Sequence, residues 1–95
     1  MPGRVLIVDD DRSMCEMLEA DLRLRQFECV ATTSPHDALQ ILKSNSFHVV
    51  LTDLRMPGMS GTELCERIVA NRPDVPVVVM TAFGSLESAV AAMRV

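Results

Sequence analysis

The sequence predicts an α/β protein built on a doubly wound, open parallel sheet, and three observations support this. Short apolar runs rich in β-branched residues alternate with longer segments whose apolar residues recur every three or four positions. The short runs are mostly apolar without alternation of apolar and polar residues, as in strands that are buried on both faces of a sheet. Parallel crossovers are right-handed, so such a chain covers both faces of its sheet with helices. With 95 residues, we expect one domain.

The first half of the chain is predicted to form two strand–helix pairs. Arg4–Val8 has the composition of strand 1, and a helical stripe of apolar residues over Arg12–Arg25 predicts helix 1. Phe27–Ala31 is predicted as strand 2. Ser34 is suited to cap helix 2 because Pro35 follows it at the first helical position.

The second half repeats this alternation. His48–Thr52 is predicted as strand 3, and Ser60 with Glu63 matches a capping box for helix 3. Val75–Met80 is the longest apolar run and predicts strand 4. Ser85 is a candidate cap for a fourth helix that continues to the end of the sequence.

Composition excludes several classes of protein. The net charge of −4 argues against broad contact with nucleic-acid phosphates, and the absence of Trp and Tyr argues against base stacking. No apolar run is long enough to span a membrane, and the first residues do not have the layout of a signal peptide. We therefore expect a cytoplasmic protein without membrane or direct nucleic-acid contact. The three cysteines are far apart and are expected to be reduced.

Acidic residues follow two of the predicted strands. Asp9, Asp10 and Asp11 come directly after strand 1, Asp53 follows strand 3, and Thr81 follows strand 4. In doubly wound sheets, ligands bind at the carboxyl ends of the strands, where the winding direction switches. If these acids serve one site, strands 1 and 3 must be neighbours, which predicts the strand order 2-1-3-4.

Carboxylates gathered at one point repel each other unless they are protonated, solvated or held by a cation. An oxygen-only cluster without His or Cys suits Mg²⁺. The alternative is that the aspartates after strand 1 only cap helix 1, which stays open for Asp11 in particular. Capping does not account for Asp53, which arrives from a different strand.

These residues resemble the receiver domain of two-component response regulators, which has the flavodoxin- and CheY-like fold. The resemblance rests on Val8–Asp10, on Val49–Asp53, on the loop Asp53–Gly58 and on Met80–Ala82. It covers the whole chain in order and spacing. The run Met80–Ser85 also resembles the receivers at the front of NtrC-type transcription activators.

The resemblance implies a role for each matching position. Asp53 would accept a phosphoryl group from a histidine kinase and, with Asp10, Asp9 and the backbone carbonyl of Arg55, would hold Mg²⁺. Thr81 would donate a hydrogen bond to the phosphoryl group. Phosphorylation would then change the surface around helix 4 and control an output, such as transcription, through effector domains of the same protein.

The sequence departs from the family's pattern at its end. The family has a fifth strand that ends in a lysine, followed by a fifth helix, whereas this sequence stops at Val95 and its only lysine is Lys43. We therefore expect residues 1–95 to be a receiver domain that is incomplete at its C-terminus. An uncovered strand 4 would be an open apolar edge, so we expect a homodimer.

Two other functions are compatible with these residues. Asp9, Asp11 and Ser13 loosely fit the first motif of haloacid-dehalogenase-type phosphatases, in which Asp9 would be the nucleophile. The chain could also be a receiver-like binding module that is never phosphorylated. By the main interpretation, it is a regulatory phosphoacceptor and no enzyme beyond promoting its own phosphorylation and dephosphorylation.

Overall fold

A computed structural model describes residues 3–53, 56 and 58–80 of this chain. In this part of the chain, the elements are β1 (Arg4–Val8), α1 (Arg12–Leu24), β2 (Glu28–Thr32), α2 (Pro35–Ser44), β3 (Val49–Asp53), α3 (Gly61–Asn71) and β4 (Val77–Met80). The parallel strands form one sheet with the order β2-β1-β3-β4, which confirms the predicted topology. The predicted fourth helix lies outside the described residues.

Some predicted boundaries are wrong by one or two residues. Strands β2 and β3 begin and end one residue later than predicted, and β4 begins two residues later. Before β2, Gln26 adopts a positive φ of 70° and the N–H of Phe27 donates to the carbonyl of Leu22, so Phe27 belongs to the exit of α1. Before β4, the N–H of Val75 donates to the carbonyl of Arg72, which holds Val75 in a turn.

The sheet is covered on both faces, as a doubly wound fold requires. Side chains alternate along each strand, so consecutive residues of β1 and β3 enter opposite cores. One core, formed with α2 and α3, contains Leu6, Val8, Ala38, Leu42, Phe47, Val50, Met56, Met59, Leu64, Ile68 and Val75. The other core, formed with α1, contains Val5, Ile7, Cys15, Leu18, Leu22, Cys29, Val49 and Leu51.

The predicted caps of α2 and α3 are present. The hydroxyl of Ser34 accepts a hydrogen bond from the N–H of Asp37 at 3.2 Å, and that of Ser60 accepts one from the N–H of Glu63 at 3.1 Å. Each bond satisfies an N–H group that the first helical turn leaves unpaired. The side chain of Glu63 lies 3.4 Å from the guanidinium of Arg67.

Arg72 links the C-terminal ends of α2 and α3. Its Nη1 donates to the carbonyl oxygens of Leu42 at 2.8 Å and Asn45 at 3.4 Å. Its Nε and Nη2 each donate to the carboxylate of Asp74 at 3.1 Å. This pairing raises the pKa of Arg72 and lowers that of Asp74. One guanidinium therefore satisfies carbonyls of α2 and also fixes the turn that leads into β4.

Replacement of Arg72 should destabilise the fold more than loss of another arginine in the same region. Arg72→Ala leaves the Leu42 carbonyl without its donor, whereas Arg67→Ala removes an exposed pair four residues apart, which contributes only about 0.3–0.5 kcal/mol. Thermal unfolding should show a clearly larger decrease in the midpoint temperature for Arg72→Ala than for Arg67→Ala.

The contribution of Arg72 should also depend on pH. The folded state lowers the pKa of Asp74 from 3.8, so the pair stabilises the protein above that pH and loses its effect as the pH falls through the lower folded value. The difference in free energy of unfolding between wild type and Arg72→Ala should therefore become smaller in strong acid. Equal destabilisation by the two arginine variants at pH 7 would contradict this role for Arg72.

Among the described residues, no helix is both long enough and apolar enough to cross a membrane.

Candidate functional site

The register of β1 and β3 places two acidic residues side by side. Val8 pairs with Thr52 in the parallel ladder, so the residues that follow, Asp9 and Asp53, lie at the same edge of the sheet. The N–H of Asp9 donates to the carbonyl of Thr32 at 3.2 Å, which holds the chain against β2 for one residue beyond β1. Asp53 is the last residue of β3 and pairs with Met80 of β4.

The three aspartates after β1 have different surroundings. The side chain of Asp11 caps α1, since its Oδ1 accepts from the N–H groups of Ser13 at 2.9 Å and Met14 at 3.4 Å. The Oδ1 of Asp9 accepts from the N–H of Asp11 at 2.9 Å and so fixes the turn between strand and helix. The capping alternative therefore applies to Asp11.

Asp9, Asp10 and Asp53 form an acidic cluster. Each offers a carboxylate oxygen, and these oxygens all lie within 4.8 Å of one another. Asp9 is buried with 6% of its surface exposed, Asp53 is half-buried and Asp10 is exposed. The structure thus brings together three of the five residues singled out for the site. Arg55 and Thr81 lie outside the described residues.

The cluster is electrostatically unfavourable when all its members are ionised. Burial raises the pKa of the Asp9 carboxyl above its ordinary value of 3.8. The N–H of Asp11 opposes this by stabilising the carboxylate, while the neighbouring charges of Asp53 and Asp10 raise the pKa further. Only carboxylate oxygens form the cluster, and a hard divalent cation such as Mg²⁺ fits that set of donors.

Two buried polar side chains support the backbone beneath the cluster. The thiol of Cys15 donates to the carbonyl of Asp9 at 3.4 Å and lies 3.8 Å from that of Thr32. Burial raises the pKa of Cys15, so the thiol stays protonated and able to donate. The hydroxyl of Thr52 donates to the carbonyl of Asp53 at 3.1 Å. From the sequence, Cys15 is expected only to be reduced and Thr52 only to belong to strand 3, because no local pattern indicates these hydrogen bonds.

Comparison with known proteins agrees with this arrangement. Residues 5–95 match the family model described as the response regulator receiver domain. The chain is 43% identical over 94 residues to the response regulator protein FleR of Pseudomonas aeruginosa. It is 39% identical over 92 residues to the DNA-binding transcriptional regulator NtrC of Escherichia coli. These alignments cover 99% and 97% of this chain but 20% of each relative, so the chain spans about a fifth of their length.

Solved structures give the same fold. TrrA of Thermotoga maritima, solved in complex with Mg²⁺–BeF, superposes with a TM-score of 0.81 at 28% identity, over 97% of this chain and 79% of TrrA. A response regulator of Chloroflexus aurantiacus also gives a TM-score of 0.81, at 32% identity, over 99% of this chain and 79% of its own.

The fold and the acidic edge of the sheet therefore define a signalling domain of the CheY-like class. The chain belongs to the response regulator receiver domain family, and the resemblance found in the sequence is confirmed. Receiver domains of this family are regulatory, which disfavours the haloacid-dehalogenase alternative.

Replacing Asp9 by Asn should stabilise the protein in metal-free buffer at pH 7. The Asn side chain keeps the Oδ1 acceptor for the N–H of Asp11 but removes a buried charge that faces Asp10 and Asp53. Because the folded state raises the pKa of Asp9, ionisation of Asp9 costs stability above the folded pKa. The advantage of Asp9→Asn should thus decrease as the pH falls toward 3.8, the ordinary value.

Glu16→Gln is the matched control, since it removes one carboxylate from an exposed position on α1 outside the cluster. Thermal unfolding with a chelator should show a higher midpoint for Asp9→Asn and little change for Glu16→Gln. A lower midpoint for Asp9→Asn at pH 7 would contradict the repulsion described above.

Proposed function

We propose that this chain is a phosphoacceptor switch in which Asp53 receives a phosphoryl group from the phosphohistidine of a kinase in an Mg²⁺-dependent reaction. The observation that supports this is the convergence of Asp9, Asp10 and Asp53 at the carboxyl ends of two adjacent strands. Residues 1–95 would act as one receiver domain. Its catalytic activity would be limited to promoting its own phosphorylation and dephosphorylation.

Asp9, Asp10 and Asp53 would hold Mg²⁺, and the family resemblance adds the backbone carbonyl of Arg55. The bound ion would supply positive charge that offsets the repulsion between an anionic acceptor and an anionic donor. Asp9 suits the role because it is buried and its orientation is fixed by the N–H of Asp11. Asp10 is exposed and suits a position open to solvent.

Asp53 is the proposed nucleophile. A carboxylate oxygen of Asp53 would form a bond to phosphorus while the phosphorus–nitrogen bond of the donor breaks, and the released imidazole takes up a proton. The product is an acyl phosphate on Asp53. Asp53 pairs with Met80 in the sheet, and Thr81 follows directly in the sequence. This neighbourhood supports the proposal that the Thr81 hydroxyl donates a hydrogen bond to the phosphoryl group.

The relatives suggest what the switch controls. FleR and NtrC are about five times as long as this chain, and NtrC is a DNA-binding transcriptional regulator. We therefore propose a histidine kinase as phosphoryl donor, effector domains in the same protein, and control of transcription in the cytoplasm. The net charge of −4 favours DNA contact by another domain. A homodimer stays the expected assembly.

Asp53→Asn should abolish phosphoryl labelling by acetyl phosphate in the presence of Mg²⁺. Wild type should gain one phosphoryl mass that hydroxylamine removes, because an acyl phosphate is sensitive to that nucleophile. Peptide mapping should place the label on Asp53. A label on Asp9, or full labelling of Asp53→Asn, would contradict the assignment, and the former result would favour phosphatase chemistry.

Asp10→Ala and Asp11→Ala should separate metal binding from helix capping. Asp10→Ala should weaken Mg²⁺ binding about tenfold or more, because even the indirect partners of a metal contribute that much. Asp11→Ala should leave Mg²⁺ affinity nearly unchanged but lower the free energy of unfolding by about 1 kcal/mol, the usual cost of losing an N-cap. Calorimetric titration and chemical denaturation measure the two effects. The opposite pattern would show that the roles of these residues are exchanged.

A further inference from the structure

A groove separates the C-terminal halves of α2 and α3, and we call it the α2–α3 groove. Its volume is about 260 Å³. It is lined by Leu39, Leu42, Lys43, Ile68, Asn71 and Arg72. These helix ends lie at the amino-terminal edge of the parallel sheet, whereas the acidic cluster lies at its carboxyl-terminal edge. An occupant of the groove would therefore leave the acidic cluster accessible.

The groove opens onto the hydrophobic core. Leu42 and Ile68 are 3% and 1% exposed and belong to the core under α2 and α3, and Leu39 packs against that core as a half-buried wall. An aliphatic group placed here would contact chiefly the exposed part of Leu39, because Leu42 and Ile68 are almost fully covered. Such contact is favourable in proportion to the apolar area removed from water.

The rim of the groove carries an unbalanced positive charge. Arg72 is paired with Asp74 and with helix carbonyls, and the amide of Asn71 donates to the carbonyl of Arg67 at 2.8 Å. Lys43 is exposed on the last turn of α2 and makes no ion pair or hydrogen bond with any residue in the described ranges. Its ammonium group has three donors and is complementary to a carboxylate.

From this combination, we propose that the α2–α3 groove docks an acidic segment of a partner protein. The segment would place a leucine-sized side chain against the exposed part of Leu39 and a carboxylate beside Lys43. The volume of about 260 Å³ is below the roughly 300–1,000 Å³ of typical small-molecule pockets, which favours side chains over a free ligand. A contact of this size belongs to the weak, transient class of interfaces.

Two designed peptides can test the groove in the isotope-labelled protein. The acidic probe is an acetylated, amidated helical peptide with two Leu four positions apart and a Glu beside each, and the basic probe has Lys in place of Glu. Amide chemical shifts should change around Leu39, Lys43 and Ile68 with the acidic probe and much less with the basic one.

Charge reversal supplies the decisive comparison. Lys43→Glu should weaken binding of the acidic probe about three- to fivefold, as expected for an exposed ion pair, and should strengthen binding of the basic probe. Arg67→Glu makes the same change in net charge on the exposed side of α3, outside the groove, and should change neither affinity. Leu39→Gln, with folding checked by circular dichroism, should weaken binding of both probes.

Several outcomes would overturn the proposal. Equal affinity of both probes for wild type and for Lys43→Glu would show that charge does not contribute to binding. Chemical-shift changes away from the α2–α3 groove would show that the probes bind elsewhere. Saturable binding of decanoate without binding of either peptide would indicate a small-molecule site. Amide chemical-shift changes that depend only on protein concentration would indicate that a second copy of the chain occupies the groove. Probe affinity should be the same with and without Mg²⁺ and acetyl phosphate, so failure here is distinguishable from failure of the phosphoacceptor function.

Discussion

The repulsion among three carboxylates at one edge of the sheet is the constraint on which the rest of the site depends. Pairing of Val8 with Thr52 places Asp9 and Asp53 at the ends of adjacent strands, and the turn after β1 adds Asp10. A shift of one residue in this ladder would move Asp9 away from Asp53. The buried strands resist such a shift because it would exchange the residues that face the two cores.

The two ends of the sheet have different properties. At the carboxyl end, charges of one sign are held close together and one of them is buried. At the amino end, Arg72 satisfies the carbonyls of α2 and pairs with Asp74, so the charge of Arg72 is matched and the helix ends are fixed. The mutually repelling carboxylates therefore lie at the end where the chemistry is proposed, as expected of a site kept for function.

Much of this arrangement could be predicted from the sequence. The strand order follows from the requirement that Asp9 and Asp53 lie at one site, so a functional argument predicts the topology. The helix caps Ser34 and Ser60 follow from the local sequence pattern. The starts of β2 and β4 are predicted less well because helix exits and turns compete with strand propensity. The partners of Arg72 lie up to 30 residues away, and no local pattern indicates them.

We propose that the acidic cluster is a cation site in which the β1–β3 register holds the carboxylates together against their repulsion. The most direct measurement is the midpoint of thermal unfolding during titration with MgCl₂, compared with NaCl at equal ionic strength. If Mg²⁺ binds the folded state at the cluster, the midpoint should rise with MgCl₂ beyond the NaCl control and continue to rise with ligand concentration as linkage requires. Identical midpoints in the two salts would contradict the account.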